Sequence, residues 1–364
     1  MFESKQGKLI AFVLCGVGLL VLPLLLQPFG NAWMRIVDMA LLYVMLALGL
    51  NIIVGFAGLL DMGYVAFFAT GAYLMGLLGS PHLAESFPAI KAAFPNGLHL
   101  SIWVVLIMAG VLAGVVGMLL GAPTLKLRGD YLAIVTLGFG EIVRIFMLNL
   151  DRPINITNGP KGLMQIDPVS VFGFNLGQKH DFFGITFQSV SLYYYLFLFL
   201  VMLIIVVSTR LEHSRIGRAW MAIREDEIAA KAMGLNTRNL KLMAFGMGAS
   251  FGGVSGVMFA SFQGFVSPES FSLMESVMII AMITLGGLGH IPGVILGALL
   301  LAALPELLRH LAGPLTTLTD GRLAPEILRQ LLIALAMIVV MLLRPRGLWP
   351  SPEHGKSLTK GDAA

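Results

Sequence analysis

The sequence predicts an all-α polytopic membrane protein of about ten transmembrane helices (eight to ten), with both termini cytoplasmic. Three observations carry this. Only 12% of the 364 residues are charged and 57% are hydrophobic, whereas a soluble domain carries about 25% charged residues. Apolar runs near the ~20 residues that cross a bilayer recur along the whole length. The basic residues gather on one side of the topology those runs define. Short alternating strands of a β-barrel are absent from the pattern.

Ten spans can be drawn: Leu9 to Leu26, Trp33 to Val54, Met62 to Gly79, Ser101 to Leu120 and Tyr131 to Leu150, then Leu192 to Thr209, Leu242 to Gln263, Leu273 to Leu288, Pro292 to Leu308 and Glu326 to Leu343. The first, preceded by Lys5 and Lys8, is long for a signal peptide and no small-x-small cleavage site follows it, so it reads as an uncleaved membrane helix. With the N-terminus inside, Lys126, Arg128, the loop 210–241 and the tail 344–364 also fall inside. Together with Lys5 and Lys8 they hold fifteen of the twenty-four basic residues. An odd span count would place the loop or the tail outside. Eight spans result if the pair around Gly286 to Pro292 is a re-entrant hairpin.

The net charge of +4 lies in loops and implies no nucleic-acid partner. A lone cysteine, Cys15, makes no internal disulfide and no multi-cysteine metal site. The segment 151–191 is polar and rich in Gly and Pro, too long for a turn, and reads as a folded periplasmic cap. Gly110, Gly114, Gly117 and Gly121 line one side of the fourth span. Gly248, Gly252 and Gly256 do so in the seventh, and Gly289, Gly293 and Gly297 lead into and along the ninth. Small residues at this spacing let helix backbones approach closely in lipid, for packing alone or for sliding as well.

No enzyme site is visible. Gly355-Lys356-Ser357 imitates the end of a phosphate loop, but Pro350 stands where the first glycine is required. The chain therefore carries no ATP-binding motif, and no cofactor is expected. Intramembrane polar residues remain. Glu141 and Arg144 are three apart on the fifth span, close enough to pair, and Glu275 opens the eighth. Charges at such depth cost about 2.5–3.5 kcal/mol, so they face a partner or a cavity. The run from Asn51 to Tyr73 is broken by Gly55, Gly58 and Gly63, with Asp61 placed to cap the next helix. It is either an interrupted membrane helix, as transporters use for polar substrate groups, or a tight hairpin at the inner face.

The loop 210–241 is the one long charged, helix-prone segment, with seven basic residues against four acids. Ile216 to Met233 reads as a short amphipathic helix ended by Gly234. Its Ile216, Trp220, Ile223, Ile228 and Met233 would fill a groove while charges such as Arg218 and Arg224 rim it. A solvated basic loop obeying only topology is the plainer alternative.

The chain resembles the LivM-type permeases of branched-chain amino acid ABC importers over nearly its full length. The resemblance rests on Asn51 to Tyr73, on Lys126 to Arg144 (KLRGDYLAIVTLGFGEIVR, with Thr136), on Thr157 to Gly162, on Gly286 to Gly293 and on the ending Arg344-Pro345-Arg346-Gly347-Leu348. ABC permeases carry a cytoplasmic Glu-Ala-Ala-x-x-x-Gly segment that couples them to an ATPase. Ala229, Ala230 and Gly234 keep its spacing here, with Glu227 displaced by one residue. The resemblance implies a single permease domain, 1–364, in a bacterial inner (plasma) membrane. It implies a homologous LivH-type second permease, two ABC ATPase subunits and a periplasmic amino-acid-binding protein as partners, besides membrane lipid. The ATPase-coupling set would be Arg218, Trp220, Arg224, Glu227, Ala229, Ala230 and Gly234. Path candidates are Asn51, Asp61, Thr136, Glu141, Arg144 and Glu275. The implied cargo is leucine, isoleucine and valine; related permeases move urea or short amides, and an ATP-independent carrier or channel is a further alternative.

Overall fold

The computed structural model describes residues 5–27, 30–125, 127, 129–171, 173–182 and 185–318, with short pieces between 331 and 349. The helices in order are α1 (Lys5–Leu26), α2 (Asn31–Asn51), α3 (Val65–Leu78), α4 (His82–Ser86), α5 (Pro88–Ala93), α6 (Ile102–Thr124), α7 (Asp130–Asn149), α8 (Ser189–Glu212), α9 (Arg215–Glu225), α10 (Glu227–Ala232), α11 (Thr237–Gln263), α12 (Leu273–Gly286) and α13 (Ile291–Leu318). One π turn, Ile52–Phe56, continues α2.

Five of these helical segments are long and apolar enough to cross a membrane: Asn31–Phe56, Ile102–Thr124, Asp130–Asn149, Ser189–Glu212 and Thr237–Gln263. Four shorter apolar helices, Gly16–Leu26, Val65–Leu78, Leu273–Gly286 and Ile291–Pro305, fall where four more spans are expected. The tenth, Glu326 to Leu343, lies largely outside the described residues, as do Lys126, Arg128 and the tail beyond Trp349. The third span begins at Val65 rather than Met62, because the chain stays non-helical from Gly58 to Gly63.

α11 is the axis of the bundle. Asn236 starts it by accepting the Asn239 N–H at 3.2 Å, and Gly264 at φ +68° ends it. Its glycines admit three neighbours. Gly248 lies against Gly49 of α2, Gly253 against Gly71 of α3 and Ala109 of α6, and Gly256 against the Phe68 carbonyl. Gly114 and Gly117 of α6 meet Gly246, Ser250 and Ala249 of α11 in return. The small-residue stripes thus mark real contacts, where a side chain would push backbones apart. A second such seam joins α12 to α13 through Gly286, Gly293 and Gly297. Burial follows from this order: 89% of the apolar window of α2 is buried within the chain, against 22% for α7.

The segment between α7 and α8 is folded. After a 3-10 turn, β1 (Leu163–Met164) pairs antiparallel with β6 (Phe265–Val266), beyond the end of α11. Two hairpins follow, β2 (Ser170–Val171) with β3 (Phe174–Asn175) and β4 (His180–Phe182) with β5 (Ile185–Phe187). Tyr193 of α8 ties the segment down by accepting the Val169 N–H at 3.0 Å and donating to the Ser261 carbonyl at 3.1 Å. His99 Nδ1 donates to Asp167 Oδ2 at 2.5 Å, which joins the α3–α6 connection to the same cap.

Candidate functional site

The charged loop folds as two helices instead of the single helix expected from Ile216 to Met233. Ser214 caps α9 by accepting the Gly217 N–H at 3.1 Å. Asp226 interrupts the helix in an extended conformation and caps α10, its Oδ1 accepting from Ile228 N at 2.8 Å and Ala229 N at 3.1 Å. The end of α10 is a Schellman motif. Leu235 N–H reaches the Ala230 carbonyl, Gly234 N–H reaches that of Lys231, and Gly234 adopts φ +85°. Gly234 ends a helix as expected.

The break divides the loop's apolar residues. Trp220 is fully buried and donates Nε1–H to the Leu240 carbonyl at 2.7 Å, and Ile223 is buried beside it. Both belong to the core of this chain, so neither is available to fill a groove on another molecule. Ile228 is 68% exposed and Met233 84%. Ala222, Ala229, Ala230, Met233 and Leu235 line an open apolar trough of 550 Å³, rimmed by Glu225 and Asp226. Arg218 is exposed and donates to the His213 carbonyl at 2.8 Å. Glu227 binds Lys241 at 2.8 Å and Lys231 at 3.7 Å, fastening α10 to the first turns of α11.

Arg224 is the inward link. Its guanidinium donates to the Gly55 carbonyl in the π turn that continues α2. Its stem covers Gly58, where a Cβ would come within 2.8 Å of Arg224 Cγ. Burial pushes the guanidinium below its ordinary pKa, with Glu225 opposing. Beside it, Asn51 Oδ1 accepts the Gly289 N–H at 2.9 Å. Gly289, at φ +80°, lies so near that a Cβ would come 2.8 Å from Arg224 Nη1 and 3.1 Å from the Gly55 carbonyl oxygen. Two interrupted helical hairpins, α2–α3 and α12–α13, therefore meet at one point, and Arg224 of α9 reaches it. A cleft of 430 Å³ opens alongside, between α9, residues 57–60 and Asp130 at the start of α7.

The path candidates fall into two groups. Asn51, Asp61 and Thr136 are buried and hold backbone. Asp61 does not cap α3: its Oδ1 accepts Gly63 N at 2.9 Å inside the turn, while Thr136 Oγ1 accepts Met62 N at 3.0 Å. α3 begins at Val65 with Tyr64 at its N-cap, three residues beyond Asp61, and Gly63 packs against the Thr136 carbonyl with no space for a Cβ. Glu141, Arg144 and Glu275 are partly open. Arg144 Nε binds Glu141 at 3.0 Å and its Nη1 lies 3.6 Å from Glu269, on a helix face that also exposes Ile134, Ile142, Ile145 and Phe146. Glu275 accepts the Tyr43 hydroxyl at 3.1 Å, and Ser276 accepts Val65 N. Tyr43 and Glu269 escaped the sequence reading, since nothing in their local pattern names a partner more than a hundred residues away.

The family described as the permease component of the branched-chain amino acid transport system matches residues 33–341. The high-affinity branched-chain amino acid transport system permease protein LivM of Escherichia coli K12 is 39% identical over 377 aligned positions, covering all of this chain and 81% of the relative. LivM of Salmonella typhimurium LT2 is 39% identical over 90% of this chain and 72% of its own. The permease protein LivH of the same organism is 32% identical over 146 residues, 40% of this chain and 43% of its own. No solved structure matches the chain. Motifs, fold and these likenesses agree: the chain belongs to the permease family of the branched-chain amino acid transport system.

Proposed function

We propose that this protein is a transmembrane permease subunit of an ABC importer for leucine, isoleucine and valine. It sits in a bacterial inner membrane with ten spans and both termini cytoplasmic. It forms the translocation path with a homologous LivH-type permease. Two separate ATPase subunits drive it and a periplasmic binding protein delivers cargo. The observation that carries this reading is the divided loop, in which α10 presents Ile228, Ala229 and Met233 outward while α9 reaches the two helix breaks through Arg224. An amphipathic element half in solvent and half in the core is a means of passing rigid-body motion from a partner's groove into the bundle. The ATPase docks on the trough at α10, and Glu227 and Gly234 hold that helix in place.

Glu141, Arg144 and Glu275 face the path. The partly open face of α7 suits a water-lined route, because a guanidinium between two carboxylates is costly against lipid tails. Asn51, Asp61 and Thr136 act behind it by fixing the hairpin.

Uptake of labelled leucine in a strain lacking this gene, with and without the gene restored, tests the reading. Restored uptake that depends on cellular ATP is the expected result. Unchanged leucine uptake with loss of urea uptake would transfer the assignment to the urea and amide permeases. Transport by the purified chain alone in liposomes would make it an ATP-independent carrier or channel.

A further inference from the structure

The charged loop is not the only segment that reaches the junction of the two helix breaks. Among the described residues, Gly347 to Trp349 also return to it. Leu348 N–H donates to the Leu285 carbonyl at 2.8 Å, and Trp349 N–H to that of Gly286 at 3.0 Å. These are two of the last carbonyls of α12, which the helix itself cannot satisfy. His290, one residue before α13, donates Nδ1–H to the Trp349 carbonyl at 2.9 Å. Gly347 is buried at φ +88°, with its α-carbon so close to Gly287 that a Cβ would lie 2.6 Å from Gly287 Cα. Leu348 packs on the core while the Trp349 side chain is 54% exposed.

This strap therefore grips the α12–α13 connection at points other than the one that Asn51 holds. Gly289 lies between the two grips: Asn51 holds its N–H, and the strap holds Leu285, Gly286 and His290 around it. Arg224 touches the same glycine. A displacement of α9 is transmitted to both α12 and α13 only if their connection is held at both sets of contacts. Held at one alone, the connection would swing and the motion would be lost locally.

We propose that Gly347, Leu348 and His290 are positioning residues for energy coupling: the returning strap locks the α12–α13 connection so that movement of Arg224 shifts both helices together. The proposal rests on the importer reading above. The strap stands apart from the ATPase-docking loop, and its contribution is to the yield of transport per ATP.

The test uses the whole transporter, permease pair, ATPases and binding protein together, in proteoliposomes. Leucine accumulated and ATP hydrolysed are measured in parallel. Leu348→Pro deletes one strap hydrogen bond at its source, since proline has no N–H. It should raise the ATP spent per leucine by about fivefold, the scale of one lost buried hydrogen bond. His290→Ala should raise it by about twofold on the same scale. An unchanged ratio in Leu348→Pro, in complexes that assemble normally, overturns the proposal. So does reduced assembly with an unchanged ratio, which assigns the strap to stability alone. Should Leu348→Pro fail to assemble, the ratio in His290→Ala decides in the same way. A wild-type complex that moves no branched-chain amino acid refutes the importer reading instead.

Discussion

Helices α9 and α10 are adjacent in the chain and opposite in character. α9 is fastened inward by Trp220, Ile223 and Arg224, whereas α10 keeps only Ala230 buried and turns Ile228 and Met233 to solvent. The boundary is a single residue, Asp226, whose carboxylate starts the second helix and so prevents the two from fusing. On a single straight helix, at ~100° per residue, Ile216, Trp220 and Ile223 would share one stripe while Ile228 and Met233 would lie roughly 120° and 100° to either side of it, so no one face would present them together. Breaking it turns the second half away. One segment can then serve both as an anchor and as a surface.

The contrast can be broken at each end. Trp220→Ala removes the largest fully buried side chain and the Leu240 hydrogen bond. It should cost about 3–5 kcal/mol and lower the thermal stability of the detergent-solubilised protein, read by a melting curve. Met233→Asp should leave that curve where it is and weaken ATPase association by about tenfold to a hundredfold, the range for an exposed apolar anchor. If Met233→Asp melted early, or Trp220→Ala merely lost its partner, the division between anchor and surface would be wrong.

Arg224→Met keeps the stem over Gly58 and deletes the charged donor to Gly55. A hydrogen bond of this kind contributes about 1.5–3 kcal/mol. Leucine uptake should fall about tenfold while the ATPase still co-purifies; loss of co-purification would put Arg224 on the docking surface instead. Asp226→Ala removes the cap that makes the break, a loss of about 1 kcal/mol. Hydrogen exchange should then rise at Ile228 and Ala229 with Trp220 still protected. Exposure of both helices together would mean that they form one cooperative unit.

The smallest expected effect is a control at the opposite end of the bundle. The hydrogen bond to Asp167, and then the one to the Asn96 carbonyl, raise the pKa of His99. A raised histidine pKa contributes stability that is fully present below the unfolded value, about 6.5, and is lost as pH rises through the folded one. The melting temperature should therefore decline slightly over that window, and Asp167→Asn should abolish the decline. ATPase association at α10 should not follow the same curve. If it did, the two ends would be coupled through His99.

Much of this was readable in the residues. The scarcity of charge and the length of the apolar runs located nine of the helices, because lipid and core impose the same demand for apolar side chains along a helix. The glycines of α6 and α11 announced a close seam, and Gly234 announced a helix end. What the pattern missed was direction. Trp220 and Met233 look alike as apolar residues of an amphipathic stretch, and only the break at Asp226 sends one inward and the other out. Asp61 stands just before the start expected at Met62, but α3 begins at Val65 with Tyr64 at its N-cap, so Asp61 closes the turn at Gly63 instead.

Composition and periodicity were enough for the class, since it follows from solvation, which acts on each residue separately, while the family rested on the motifs that the chain shares with it. The meeting of Arg224, Asn51, Gly55, Gly289 and the strap at Gly347 required the folded chain. Those contacts join positions up to 238 residues apart, and backbone carbonyls and N–H groups make most of them. Every residue carries such groups, so no side-chain pattern can mark which will pair; close packing around the glycines decides it.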